Sequence, residues 1–220
     1  MGGGEGATRA VCDNRSMNLR RSLPLLLTTG LAGALAGVLV AHMLSQKSVA
    51  LQGGTWLPQP RALERFQLTD LQGRSFDNQA LLGHPTLLFF GYSNCPDVCP
   101  TTLATIQALL RQSPIAGLQV LFVTIDPARD TPAALGQYLR AFDSTVIGLY
   151  GSDAARAPLE RSLGALAERR DAPAGTYRVD HTATLYLLDA RGRMAAVFTP
   201  PLTARALSAD LRYLAQASIL

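Results

Sequence analysis

Two of the three cysteines in the chain stand four residues apart, in Gly91-Tyr92-Ser93-Asn94-Cys95-Pro96-Asp97-Val98-Cys99-Pro100. A thiolate is both a nucleophile and a soft metal ligand. A tight turn can bring two such sulfurs to one point. They can then close a disulfide, which needs Cα atoms about 4.4–6.8 Å apart, or share one metal ion. The bland alternative is a structural pair of small buried thiols. The gap is not the two-residue spacing of C-x-x-C redox motifs, and no second pair completes a four-cysteine zinc set.

The flanking sequence indicates what positions the pair. Thr86 to Phe90 is a short apolar run rich in β-formers, bounded by Pro85 and Gly91, and it predicts a buried strand. After the cysteines, Leu103, Ile106, Leu109 and Leu110 recur at helical spacing on one face. Proline is tolerated in the first turn of a helix and poorly beyond it. This places the helix start near Pro100, with Cys99 at or next to the N-cap and Cys95 on the loop. The helix dipole at that position favours the thiolate.

A metal held by two thiolates needs a further donor, and the chain has three histidines. His42 ends an apolar segment. His84 lies at the far end of the predicted strand, about 17 Å away for five residues. His181 follows a polar stretch, stands beside Asp180 and leads into the next apolar run, Thr182 to Leu188. It reads equally as a ligand with Asp180 behind it or as an ordinary strand-edge histidine. Two thiolates and one imidazole form a soft set that suits Cu(I). Outside a reducing compartment the same thiols can alternate between a copper-loaded dithiol and a metal-free disulfide.

Compartment is read from the start of the chain. Leu23 to Leu44 contains no Asp, Glu, Lys or Arg, and its length suits a bilayer span. Arg20-Arg21 precede it and only Lys47 follows closely. The positive-inside rule then keeps residues 1–22 in the cytoplasm as a tail and sends the rest across. The expectation is a single uncleaved pass through a bacterial inner membrane, with the domain facing the periplasm; a cleaved signal peptide is the alternative. Met17 offers a more economical start, and Cys12 has no assigned role. Residues 45–60, with Gly53-Gly54 and two prolines, read as a linker. Residues 61–220 are the expected domain. The chain is +4 overall. Four arginines stand against two acids up to Gln46, and sixteen basic against fourteen acidic residues follow. Such a balanced domain carries no nucleic-acid footprint.

Within the domain, Phe66 to Gln72-Gly73 predicts a hairpin, Asp77 to Gly83 a brief helical turn and Val120 to Ile125 a second buried strand. Helices are predicted over Ala133 to Phe142, Asp153 to Leu166 and Leu202 to Ala217, with a strand at Val146 to Tyr150. Arg169 to Val179 reads as a polar excursion. Thr182 to Leu188 and Met194 to Phe198 form a closing hairpin around Arg191-Gly192. Strands alternating with helices give an α/β domain with a mixed sheet. Asp126 and Asp130 fall in a loop on the side of the sheet where α/β folds carry their sites. Asp130 is expected to N-cap the helix opened by Thr131-Pro132. Asp126 is expected to tune the cysteines or to dock a partner.

Several motifs together resemble the Sco/SenC family. They are Phe89-Phe90-Gly91-Tyr92, the Cys95-to-Pro100 stretch, Val123-Thr124-Ile125-Asp126-Pro127, Arg129-Asp130-Thr131-Pro132, and Val179-Asp180-His181 followed by Tyr186-Leu187-Leu188-Asp189. Gly54-Thr55 with Leu57-Pro58, and Phe66 to Asp70, resemble the segment that opens the family's domain. The resemblance implies a thioredoxin-like fold behind one N-terminal transmembrane helix. It implies that Cys95 and Cys99 are a redox-active pair and that Cys95, Cys99 and His181 bind copper, as Cu(I) with Cu(II) as a second state. It further implies a part in building the CuA centre of a respiratory cytochrome c oxidase, by delivering copper, reducing target cysteines, or both. The implied partners are the CuA-bearing subunit and a periplasmic copper donor. The alternative is a metal-independent protein thiol-disulfide oxidoreductase. Asn94, and Thr101-Thr102 at the helix start, depart from the common family pattern.

Overall fold

Residue patterns along the second half of the chain alternate between strand and helix, and the architecture follows from that alternation. The computed structural model describes residues 50–112, 115–173, 176–217 and 219–220, with Gly2 and Gly37. The folded unit spans Val49–Leu220. Its strands are β1 (Gly54–Arg61), β2 (Gln67–Asp70), β3 (Ser75–Asp77), β4 (Thr86–Gly91), β5 (Gln119–Thr124), β6 (Ile147–Tyr150), β7 (Ala167–Asp171), β8 (Tyr177–His181), β9 (Leu185–Leu188) and β10 (Met194–Phe198). Its α-helices are α1 (Val98–Gln112), α2 (Pro132–Arg140), α3 (Asp153–Leu163) and α4 (Ala204–Gln216).

Eight strands form one sheet in the order β1-β10-β9-β4-β5-β6-β2-β3. The pairs β4–β5 and β5–β6 are parallel and the others antiparallel, so the sheet is mixed as expected. Every residue of β4 is buried, as a central strand covered on both faces requires. Phe89, Phe90, Phe122, Leu121 and Leu187 anchor the core around it. On the helices, α1 packs against α4, α2 against β6 and α3 against β2. Buried Arg156 ties α3 inward: Nη1 reaches the Thr124 carbonyl at 3.4 Å, while Asp153 and Glu160 balance its charge.

Three expectations are corrected. The stretch read as the end of a linker is in part a strand: Gly54, Thr55 and Trp56 of β1 pair with Phe198, Val197 and Ala196. Pro58 and Pro60 are accommodated because β1 is a sheet edge, where half the backbone donors need no ladder partner. The folded unit is pinned even earlier, since the amides of Gln52 and Gly53 donate to the Asp210 carboxylate at 2.7 and 2.8 Å. Second, the polar excursion is a two-stranded antiparallel ribbon, β7–β8, separate from the main sheet. Its residues alternate outward without a long apolar run, which is why composition alone read it as loop. Third, α1 begins at Val98 rather than near Pro100. Cys99 and Pro100 therefore both fit within the first turn, where the missing proline donor costs nothing.

Apart from Gly37, the candidate membrane segment, residues 23–44, lies outside the described residues, as does the tail at 3–22 with Cys12. Among the described residues no helix is long and apolar enough to cross a membrane.

Candidate metal centre

β4 ends at Gly91, and the chain turns directly into the cysteine loop. A Cβ at Gly91 would lie 2.9 Å from Cys99 Sγ and 2.8 Å from the Phe122 ring. Glycine here lets Cys99 sit flush on the strand end, where it is fully buried. Cys95 lies on the loop, partly exposed. Both thiols are free.

His181 arrives from the other side, as the last residue of β8. The sulfurs of Cys95 and Cys99 and one ring nitrogen of His181 all lie within 4.8 Å of one another. Cys99 Sγ is 3.5 Å from His181 Nε2. Bond lengths of about 2.3 Å for sulfur and 2.0 Å for nitrogen permit donors around one ion to stand up to roughly 4.6 Å apart. Three donors spread at about 120° stand roughly 3.7–4.0 Å apart at those bond lengths, so atoms within 4.8 Å of one another need to move by less than about 1 Å to share an ion. His181 Nδ1 is 3.1 Å from the Thr182 carbonyl oxygen. That oxygen can only accept, so Nδ1 carries the ring proton and Nε2 offers its lone pair toward the sulfurs. Phe89 and Tyr92 pack edge-on against the imidazole, at 5.9 and 6.0 Å between centroids.

Asp180 is not the group behind His181. Successive strand residues point to opposite faces, so Asp180 turns outward to Arg170 and Arg178 at 3.4 and 3.3 Å. His84 is exposed, at the far end of β4 beside the Gly117 carbonyl. His42 lies outside the described residues.

The two sulfurs share one proton asymmetrically. Cys95 is pulled well below the ordinary thiol range, chiefly by the hydrogen bond from Cys99, with the amides of Asp97 and Cys99 adding to it. Cys99 is pushed up, first by being that donor and then by burial. The reduced pair therefore holds one partly buried thiolate and one fully buried thiol near neutrality. An ordinary thiol near pKa 8.5 loses about tenfold in thiolate for each unit below that value. Because the shift at Cys95 is downward, its thiolate persists as pH falls. Iodoacetamide should accordingly alkylate Cys95 at a nearly constant rate from pH 8 to pH 5. A tenfold fall per pH unit over that range would show that Cys95 is an unperturbed thiol.

Two buried carboxylates hold the arms of the site. Asp130, 1% exposed, was expected at a helix cap. Thr131 fills that role instead, its hydroxyl accepting from the Ala134 amide at 3.3 Å. Asp130 accepts from the Ser93 amide at 3.1 Å, from the Ser93 hydroxyl, and from Thr124 Oγ1 at 2.6 Å. It thereby fixes the cysteine loop to the end of β5. Asp126 accepts from Arg129 Nε and from Tyr177 Oη at 2.7 Å. It grips the ribbon that carries His181. Ser93, Tyr92, Arg129 and Tyr177 went unnoticed in the sequence, because their importance lies in contacts 37 to 87 residues distant. Tyr92, Ser93 and Arg129 lie inside the quoted motifs with no role assigned to them, and Tyr177 carried no signal.

Fold and site together define a thioredoxin-like domain with a dithiol and an imidazole poised around one point. The SCO1/SenC family model matches residues 57–216, and the chain belongs to that family. A SCO2-like protein of Rickettsia typhi is 31% identical over 180 residues, covering 80% of this chain and 88% of its own. Among solved structures, Bradyrhizobium japonicum ScoI with copper bound is 40% identical, with a TM-score of 0.63, over 69% of this chain and 98% of that one. Yeast Sco1 with copper bound is 31% identical, with a TM-score of 0.65, over 72% and 90%.

Proposed function

We propose that this chain is a membrane-anchored copper protein that binds copper through Cys95, Cys99 and His181 and serves assembly of the CuA centre of a respiratory cytochrome c oxidase. It does so by passing copper to the CuA-bearing subunit, by reducing that subunit's cysteines, or by both. The observation that carries the reading is the convergence of two sulfurs and a lone-pair nitrogen within 4.8 Å, a donor set whose softness suits Cu(I). The copper-bound relatives from Bradyrhizobium and yeast support it. Cys95, the less buried of the two sulfurs, gives an acceptor thiolate a point of attack, so copper can move through shared-ligand intermediates. Copper is cargo in this reading, arriving from a periplasmic donor and leaving to the oxidase. The uncharged span at 23–44, preceded by Arg20-Arg21, supports an inner-membrane anchor with the domain in the periplasm.

The decisive experiment mixes the Cu(I)-loaded domain with the metal-free, reduced CuA domain of the host's oxidase, separates the two, oxidises the recovered CuA domain with ferricyanide to the mixed-valence state and follows the CuA absorption and electron-paramagnetic signals. Their appearance, with copper lost from this chain, is the expected result. Absence of transfer, together with no reduction of an oxidised CuA domain, would overturn the proposal.

The second reading, a metal-independent thiol-disulfide oxidoreductase, is favoured by one observation: a Cys95 of lowered pKa and partial exposure backed by a buried Cys99 is the layout of an attacking thiol and a resolving thiol. His181→Ala separates the two readings. It should weaken Cu(I) binding about a hundredfold, roughly 2.8 kcal/mol, while leaving dithiol-disulfide exchange in place.

A further inference from the structure

His181 is carried by a ribbon whose backbone hydrogen-bonds to no strand of the main sheet. An isolated two-stranded ribbon is marginally stable in water, so its position depends on what seats it. Along β8 the inward residues are Tyr177, Val179 and His181, while Arg178 and Asp180 face solvent. Val179 is 7% exposed and its amide reaches Tyr92 Oη at 3.4 Å. At the His181 end, the Thr182 amide donates to the Leu166 carbonyl at 2.9 Å. The other end is held differently. The Tyr177 ring lies between two guanidiniums, Arg129 at 3.8 Å and Arg169 at 3.7 Å from its centroid. Its hydroxyl donates to buried Asp126, and Arg129 Nη1 donates to the Tyr177 carbonyl at 3.0 Å. Arg129 also lies 5.6 Å from the Tyr92 ring, the same ring that packs against His181.

We propose that Tyr177 is a positioning residue for the metal centre: clamped by Asp126, Arg129 and Arg169, it fixes the β7–β8 ribbon and thereby the reach of His181 to the two sulfurs. The clamp stands four residues, about 13 Å, from the imidazole, and touches no ligand. Its base is the loop after β5, and Thr124 at the end of that strand also anchors Asp130 and the cysteine loop. One strand end therefore sets the separation of the cysteine arm and the histidine arm. Loosening the clamp frees one arm only. Cu(I) retention should suffer through nitrogen loss, while the dithiol chemistry of Cys95 and Cys99 stays intact. The inference rests on the three-donor reading above.

The test compares wild type, Tyr177→Ala, Tyr177→Phe and His181→Ala, all as the reduced domain of the full chain. Cu(I) affinity is measured by chelator competition, the nitrogen contribution by X-ray absorption, the dithiol potential by redox titration, and amide exchange at 177–181 without metal. Outer partners of metal ligands typically contribute 10–100-fold in affinity. Tyr177→Ala, which acts on the ligand only through the ribbon, should reach the low end of that range, about tenfold, with a weakened nitrogen signal, faster exchange at 177–181 and an unchanged potential. Tyr177→Phe keeps the stacked ring and loses only the bond to Asp126, so it should recover part of the affinity. If His181→Ala weakens binding and both Tyr177 variants bind as wild type, the clamp is wrong and the three-donor reading stands. If His181→Ala binds as wild type, the three-donor reading fails, and unchanged amide exchange in Tyr177→Ala then overturns the clamp as well. Should Tyr177→Ala fail to fold, Tyr177→Phe carries the same comparisons: wild-type affinity and exchange in that variant overturn the proposal.

Discussion

Replacing Cys95 or Cys99 by serine is expected to remove tight Cu(I) binding, by about a thousandfold or more, roughly 4 kcal/mol. The reason is donor type as much as donor number. A serine hydroxyl is a hard, protonated ligand, and Cu(I) prefers thiolate and imidazole. No other cysteine among the described residues can substitute, since Cys95 and Cys99 are the two found there. The two variants should differ in stability. Cys99 is fully buried against Gly91 and Phe122, so a hydroxyl there loses the fit and must find a partner, at a cost of about 1–3 kcal/mol. Cys95 is partly exposed, so serine there should leave the melting temperature nearly unchanged. Chelator competition and thermal melting on both variants check this. Wild-type affinity in either would show that the sulfurs are not the ligands.

Oxidation of the pair should be as damaging to copper binding as mutation. Metal ligation needs deprotonated sulfur, and a disulfide has no thiolate to offer. The sulfurs already stand close together, so closing the bond requires little movement of the loop. Dithiothreitol-reduced protein should take up one Cu(I), the same protein oxidised by ferricyanide essentially none, and re-reduction should restore binding. Copper-loaded protein should in turn resist oxidation, because both sulfurs are engaged. Equal affinity in the two redox states would refute the thiolate site.

These expectations join two kinds of information. The pattern of residues located β4, α1, β5 and the closing hairpin, because long apolar runs and helical spacing report burial directly. It also picked out the cysteines, because rare reactive residues at short spacing need no tertiary knowledge to be noticed. The β7–β8 ribbon was different. Its strands, Ala167–Asp171 and Tyr177–His181, carry six arginine or acidic residues in β7 and β8 positions that face water. Nothing in such a sequence separates a solvated ribbon from a loop. The strand β1 was read as linker for a similar reason, since prolines on an edge strand look like breakers until the edge is known.

The sequence by itself determined the chemistry on offer: two thiols, a short list of histidines and an α/β frame to hold them. Tertiary structure decided the rest. It chose the Thr182 carbonyl, not Asp180, to orient His181, since strand alternation sends neighbouring side chains to opposite faces. It turned Asp130 from a cap into the anchor of the cysteine loop and made Asp126 the seat of the histidine ribbon. Contacts within one element follow from a local period and can be read along the chain. Contacts between Ser93 and Asp130, or Tyr177 and Asp126, depend on which strands become neighbours, and only the folded sheet fixes that.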